Sequence, residues 1–516
     1  MPEYLAPGVF IEEFEKGPRP IEGVATSTAA FLGETERGPT RPRMITSIND
    51  YNRHFGGAFG DDQYVPYAVT GFFDNGGRRA FVCRLVGDNA VEAALAVGGI
   101  SLRASGPGSW GNRVHIKLTE GSSTLGTNRP EPSTVFRLQI AYWANEAPGG
   151  AFPDPFDPAQ NRTLPRPTMV EDFDNLEFAD ATSPDFFGKR LESASALVRL
   201  DQPNPPPLPQ MPAAPLTPLA GGVDGGALEL RHYEGKNDNS ELRTGLAALE
   251  LDEFREVALV AAPGVTEPPI VKAVYEHCER NRFRFAVLDC PANQGNAAQL
   301  DPRSDFTTQY AAFYYPRVGV ADLRTGARKL IPPCGHILGL YARTDIERGV
   351  WKAPANDVLR GVFDLEYYVD TATQETLNPR GVNAIRRFPG RGIRVWGART
   401  LSDNSLWKYV SVRRLFIFLE RSIYEGTQWV VFEPNDERLW ERVKDTIRLF
   451  LRTQWRNGAM MGLTEDEAFV IACDRSTMTQ DDILNGRLIC EIGIAPVRPA
   501  EFVIFRIFQN TAEAQS

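Results

Sequence analysis

Val257-Ala258-Leu259-Val260-Ala261, ended by Pro263-Gly264, is followed by Ile270 to Cys278 and then by Phe285-Ala286-Val287-Leu288-Asp289. The two apolar runs are short and carry almost no polar break, as strands buried on both faces do. The segment between them has helical length and pattern. Strand, helix and strand in that order predict a parallel pair joined by a right-handed crossover. Residues 245–340 therefore read as α/β.

Towards the N-terminus the same logic gives strand, helix, helix, strand over residues 28–86. Ala29-Ala30-Phe31-Leu32-Gly33 and Ala80 to Val86 are the strands. Ser47 is a plausible N-cap for Ile48 to Phe55, which stops at Gly56-Gly57. Tyr67 to Phe73 is the second helix, ended by Asn75-Gly76-Gly77. From about 100 to 200 the pattern turns to strands: Val114, Ile116 and Leu118 alternate with polar residues, and Val135 to Tyr142 follows suit. Eight prolines lie between Pro203 and Pro218, with Gly221-Gly222-Val223-Asp224-Gly225-Gly226 behind them. Such a run predicts a semi-rigid linker and a domain boundary.

The C-terminal third is more helical. Pro434-Asn435 predicts a turn and a cap. Leu439, Val443, Ile447, Phe450 and Leu451 then form one apolar stripe, closed by Gly458. The opposite face carries Glu437, Arg438, Glu441, Arg442 and Lys444. Two extended runs have no evident partner in their own chain. Pro7 to Phe14, with Val9, Phe10, Ile11 and Glu12 at its centre, is cut off by Gly17 and Pro18. Phe502-Val503-Ile504-Phe505-Arg506-Ile507-Phe508 is β-prone on both faces. Strands so short, or so apolar on both sides, need neighbours.

Composition narrows the function. The 516 residues suggest about three domains. A net charge of −10 argues against nucleic acid as the main partner, since phosphate binding calls for a basic surface. It also disfavours an anionic membrane. No apolar run approaches the ~18 residues of a membrane span, and Met1 to Pro7 has no signal-peptide pattern, so neither insertion nor ordinary secretion is expected. Six scattered cysteines without a CxxC pair predict folding in a reducing compartment.

Motifs that could mean chemistry fail on context. Gly106-Pro107-Gly108-Ser109-Trp110-Gly111 matches GxGxxG, but a strand and not a helix is expected after it, so it reads as a glycine-rich turn. There is no GxSxG and no Walker A. His54, His115, His232 and His277 read as surface or capping residues, with His277 placed beside Glu276 and Glu279. Cys334-Gly335-His336 offers two ligands, too few for zinc. Asp252-Glu253, Asp436-Glu437 and Asp481-Asp482 fit helix starts. Arg413-Arg414 fits ion pairing on an amphipathic helix. No catalytic residue, cofactor or metal is expected.

Read in order, Tyr4 to Glu13, Arg19 to Val24, Gly108-Ser109-Trp110-Gly111-Asn112 and Leu219 to Gly225 resemble the contractile tail sheath proteins of phages, R-type pyocins and extracellular injection systems. The C-terminal signatures carry the resemblance furthest: Asn378-Pro379-Arg380-Gly381-Val382-Asn383, Phe388 to Gly392, Val395 to Thr400, Phe432 to Asn435 and Ala495 to Phe502. The resemblance implies a multidomain α/β and α+β fold. An N-terminal arm (1–22) precedes a subtilisin-like central domain (23–99 and 222–375) carrying a β-rich outward insertion (100–221). A tube-facing C-terminal domain (376–500) and a C-terminal arm (501–516) complete it.

It also implies a structural, non-enzymatic subunit that stacks as hexameric rings around an inner tube. The arms at Val9–Glu12 and Phe502–Ile507 would add strands to neighbouring copies. Glu437, Arg438, Glu441, Arg442 and Lys444 are candidates to face the tube. The other implied partners are baseplate and tail terminator or cap proteins, in a particle assembled in the bacterial cytoplasm. A hydrolase on the α/β domain and a non-contractile surface protein are the competing readings.

Overall fold

The computed structural model describes residues 20–124, 135–147, 150–202, 205–236 and 243–506. They fall into two units, 25–413 and a smaller one made of 20–24 with 414–506; the division lies inside the helix Val410–Gly426.

The larger unit begins with β1 (Ala29–Gly33), β2 (Arg43–Ile45) and β3 (Ala80–Arg84). Between β2 and β3 run the helices Ile48–Phe55 and Val65–Asp74. Ser47 caps the first by accepting from the Asp50 N–H, and Gly56 ends it at a positive φ of 86° that favours glycine. The chain then builds an excursion: β4 (Ala94–Val97), β5 (Ile100–Ala104), β6 (Val114–Glu120), β7 (Val135–Tyr142), β8 (Met169–Glu177), β9 (Val198–Leu200) and β10 (Ala214–Pro218). These make a four-stranded sheet, β10-β6-β7-β8, and a three-stranded one, β4-β5-β9. Their shared core includes Trp110, Ile116, Phe136, Leu138, Tyr142 and Phe187.

The proline run corrects one expectation. It does not span the gap as a linker. Leu208 N–H donates to Phe178 O at 2.8 Å, and β10 pairs antiparallel with β6 at the edge of the four-stranded sheet. Proline is tolerated there because an edge strand needs donors on one side only.

The chain returns through β11 (Leu259–Ala261), β12 (Phe285–Asp289), β13 (Ala311–Tyr315), β14 (Val318–Ala321), β15 (Arg328–Ile331), β16 (Asp364–Leu365), β17 (Val382–Phe388) and β18 (Gly392–Val395). Eight strands form one sheet in the order β18-β17-β13-β12-β11-β1-β3-β2. Its six inner strands are parallel and each edge carries one antiparallel strand. The parallel β11–β12 pair flanks the helix Pro268–Asn281, as the opening stretch predicts. β17 and β18 belong to this sheet although they lie beyond residue 375, where the sequence reading ends the central domain. The helix Cys334–Arg348 packs on Val65–Asp74 through Gly335, Gly339 and Gly71; a Cβ on Gly335 would lie 2.2 Å from Ala68 O.

The smaller unit holds the helix Glu437–Arg456 and a two-stranded antiparallel sheet, β19 (Phe469–Ala472) with β20 (Glu491–Ile494). The stripe Leu439, Val443, Ile447, Phe450 and Leu451 is buried. Its N-cap is Asp436, one residue later than expected, accepting from Leu439 N–H. Asn435 instead accepts from the Trp440 indole at 2.8 Å.

Candidate functional site

Chemistry-bearing side chains cluster first at the C-terminal end of β12. Asp289 accepts from Gly264 N–H at 3.1 Å and Cys334 N–H at 2.9 Å, and burial pushes its carboxyl up to about 6. Cys334 is wholly buried, and burial with the Asp289 charge raises its thiol well above its ordinary value. His336 sits a short step along the same helix, buried against Gly71, its imidazole lowered to about 4 by burial. A nucleophile needs thiolate character and access. This group has neither, and its hydrogen bonds pin a loop and a helix start to a strand end. Among the described residues no three His, Cys, Asp or Glu side chains come together to hold a metal ion.

The histidines correct the sequence reading. His54, His115, His277 and His336 are all buried. The helical phase turns His277 inward with Ile270, Ala273 and Val274, away from its acidic neighbours in sequence. Arg413 is buried too, with its guanidinium 4.8 Å from the Tyr310 ring and 4.5 Å from the Trp407 ring. Both aromatic faces contribute to its environment.

The glycine-rich turn at 106–111 is bonded by the protein's own chain. Ser109 donates through N–H and Oγ to the two carboxylate oxygens of Asp224 at 2.8 and 2.6 Å. Asn112 and Gly222 exchange two hydrogen bonds of 2.8 Å. A cleft of about 720 Å³ beside this clasp is lined by Glu34, Glu36, Arg84 and Asp224 among others. Its charges are engaged in its own walls: Arg84 donates to Gly38 O and Pro107 O at 2.8 Å each, and Glu36 accepts from Gly57 N–H and Tyr142 Oη.

The Asn378–Thr400 signatures are architecture as well. Asn383 is fully buried; it donates to Phe313 O and Arg399 O and accepts from Arg399 N–H at 2.7 Å. Arg303 ties Pro379 O to Thr400 O.

What these locks leave for interaction is surface, and in the smaller unit part of that surface is apolar. Phe432 is fully exposed on a backbone with φ 68°, a conformation an aromatic residue adopts only when its surroundings enforce it. Val431, Leu463 and Leu484 are exposed around the same unit. Phe502, Val503, Ile504 and Phe505 are between 68% and 84% exposed and form no strand, in contrast to the doubly buried strand their pattern predicts. Arg506 is exposed too; Ile507, and Val9, Phe10, Ile11 and Glu12 of the N-terminal run, lie outside the described residues. Large exposed apolar side chains of this kind are candidates for a binding face.

The sheet beside it is incomplete. Ala495 N–H donates to Ala468 O at 2.9 Å, so the odd-numbered residues of β20 point their backbone groups at β19. Alternation turns those of Ile492 and Ile494, and of Phe469 and Ile471 on the other strand, outward. A two-stranded sheet is marginal by itself and offers two edges. The charged face of Glu437–Arg456 is exposed at Glu437, Arg438, Glu441 and Arg442, with Lys444 half-buried. Glu437 pairs with Arg475 at 2.8 Å, Lys444 with Glu441 at 2.6 Å and Arg442 with Glu433 at 3.7 Å. No helix among the described residues is long and apolar enough to cross a membrane.

Comparison with known proteins gives two adjoining family matches, whose boundary lies twelve residues before the division of the two units. Residues 235–401 match the phage tail sheath protein central domain, and residues 402–510 the phage tail sheath C-terminal domain. A putative prophage major tail sheath protein of Pseudomonas aeruginosa (strain UCBPP-PA14) is 27% identical over 274 residues, 51% of this chain and 69% of that protein. The tail sheath protein of Burkholderia phage BcepMu is 29% identical over 241 residues, 43% of this chain and half of that one. In three dimensions the chain is similar to the helical sheath of the anti-feeding prophage (AFP) in its contracted state. The TM-score is 0.56 at 25% identity, covering 98% of this chain and 99% of the other. The contracted sheath complex of the extracellular contractile injection system PVC gives 0.59 at 24% identity, covering 99% and 100%.

Proposed function

The chain belongs to the phage tail sheath family, and on that premise we propose that it polymerises as stacked hexameric rings around an inner tube and contracts to drive the tube through a target envelope. It is a sheath protein of contractile, phage-tail-like systems. The likeness to contracted AFP and PVC sheaths supports the contractile reading, and the likeness to an AFP baseplate supports baseplate association.

The observation that carries the assembly reading is the pairing, in one small unit, of a two-edged sheet and an extended apolar run without a strand partner. Residues 502–507 of one copy, and Val9–Glu12 of another, supply main-chain donors and acceptors to the edges of β19 and β20 in a neighbour. The arms then keep the sleeve continuous while subunits change their other contacts, a bistable interface in which new contacts provide the free energy. The exposed charges of Glu437, Arg438, Glu441, Arg442 and Lys444 face the inner tube, and terminator and baseplate proteins close the ends. The particle is assembled in the bacterial cytoplasm.

Six parallel strands in one sheet support a subtilisin-like reading of the central architecture. Fold does not carry catalysis, and the buried Asp289, Cys334 and His336 are structural in this reading. Negative-stain microscopy of the purified chain tests the whole: hollow striated tubes are expected, and a strictly monomeric species under all conditions defeats it.

A further inference from the structure

Cys473 and Cys490 are distant in sequence, yet the register of the small sheet brings them face to face. Ala472 stands opposite Glu491 in the antiparallel ladder, and one more step sets Cys473 opposite Cys490. The hydrogen-bond phase is fixed by Ala495 N–H donating to Ala468 O. Bonded positions therefore fall at 468/495, 470/493 and 472/491, and 473/490 is a non-bonded position. There the Cα atoms of an antiparallel pair approach to about 4.5 Å and the side chains share one face. A disulfide spans Cα separations of about 4.4–6.8 Å. Beyond the strand ends Thr477 Oγ donates to Ile489 O at 2.8 Å, which holds the two segments in place.

The surroundings suit the pair. Both sulfurs are free thiols; Cys473 is buried and Cys490 half-buried, on the sheet face that packs against Glu437–Arg456. The Cys490 thiol donates to Cys473, which holds the Cys473 thiol below its ordinary value despite burial, with the Lys444 ammonium helping. Cys490 is raised in turn by that same bond. Asp474 and Glu441 are the acidic groups facing the site.

We propose that Cys473 and Cys490 are an oxidisable dithiol, a covalent modification site that takes small-molecule disulfides and closes into a cross-strand bond bracing β19 on β20. Cys490 is the sulfur an external disulfide RSSR can reach. Its proton passes along the shared hydrogen bond to the Cys473 thiolate, and the Cys490 thiolate so formed attacks one sulfur of RSSR and expels RS⁻, which leaves as RSH with the proton that Cys473 had first released to solvent. Cys473 then gives up the proton it received from Cys490, and its thiolate attacks Cys490 Sγ and expels the second RS⁻, which takes that proton as RSH. Two protein thiols are oxidised to one disulfide, and RSSR is reduced to two RSH. The site does not depend on what the chain assembles into.

The test uses the full chain and hydroxyethyl disulfide at mildly alkaline pH, followed by alkylation of residual thiols and peptide mass spectrometry. Two of the six thiols should disappear, with the peptides holding 473 and 490 linked and no hydroxyethylthio group retained. Dithiothreitol should restore all six. In Cys473→Ser the adduct should stop on Cys490; in Cys490→Ser neither position should be modified. In the unsubstituted chain, an adduct that persists on Cys490 without linkage overturns the proposal, as does equal reaction of all six thiols.

Discussion

Arg284 Nη1 lies 2.6 Å from His277 Nε2, and neither side chain is more than 4% exposed. An arginine can only donate, so Nε2 is the acceptor and the imidazole is neutral, its proton on Nδ1 towards Glu250, 3.6 Å away. Burial lowers this histidine to about 4, with the Arg284 charge adding to it against the pull of Glu250. His54 and His336 are also lowered to about 4 by burial. For each, the unfolded chain holds more protons than the folded one between pH 6.5 and 4. Stability is thus complete above 6.5 and is lost as pH falls through that window, by about 1.4 kcal/mol per unit per histidine. Asp289, raised to about 6, works in the opposite sense between 3.8 and 6 and offsets one of the three. Denaturant midpoints should fall from pH 7.5 to pH 5. His277→Gln should flatten that slope whatever it does to stability at pH 7.5, and an unchanged slope would contradict the neutral buried imidazole.

Gly335→Ala should destabilise the larger unit by about 1–3 kcal/mol, because the added methyl meets backbone of Val65–Asp74 and no rotamer can relieve it. Gly339→Ala, whose Cβ would stand 2.5 Å from Phe72 O, should behave alike. Calorimetry reads both. A substitution at Gly390, where nothing stands within 4 Å but φ is 69°, should show only the backbone cost of about 1 kcal/mol.

Asn383→Ala should cost about 3 kcal/mol, since it strands buried groups on Phe313 and Arg399. Asn383→Asp should not rescue it, because a carboxylate cannot donate to the two carbonyls. Thermal melts of the three proteins, ranked, check this.

Removing 502–516 should leave the melting temperature within a few degrees, because Phe502 to Phe505 bury little in their own chain. The truncated subunit should be folded by circular dichroism and yield no stable tubes by microscopy. Tubes indistinguishable from those of the full chain would sink the strand-addition reading.

Arg438→Glu should leave the fold intact, as its side chain is exposed on Glu437–Arg456. Assembly on the inner tube should weaken several-fold at low salt and less at high salt, where the charges are screened. Co-sedimentation across a salt series decides; loss of assembly that is independent of salt would point away from a charged tube contact.

Legibility from sequence followed the range of the forces involved. Ile48–Phe55, Phe285–Asp289 and Val135–Tyr142 were readable to the residue because caps, breakers and periodicity are local. The buried stripe of Glu437–Arg456 was readable for the same reason. His277 faces inward because helical phase, and not the glutamates beside it in sequence, decides which way its side chain turns. The proline run hid an edge strand, since only its partner β6 reveals why its missing donors do no harm. The facing thiols at 473 and 490 depend on a pairing register that no count of cysteines contains. The exposed state of Phe502–Phe505 was illegible in another way: a single chain lacks the groups that this pattern is made to meet.

The excursion between β3 and β11 leaves the eight-stranded sheet by a closed neck. Val91 and Val223 exchange two backbone bonds, as do Ala94 and Ala220, and the Ser109–Asp224 and Asn112–Gly222 bonds lock the same place. Its outgoing and incoming strands therefore run side by side, zipped together before either reaches the excursion's own sheets. A segment attached in this way is a cassette. Its interior can be lengthened, shortened or exchanged for a foreign domain with closely spaced ends while the zipper stays unchanged, provided the few contacts it makes with the host, such as Tyr142 Oη to Glu36 and Arg53 to Ala194 O, are kept or replaced.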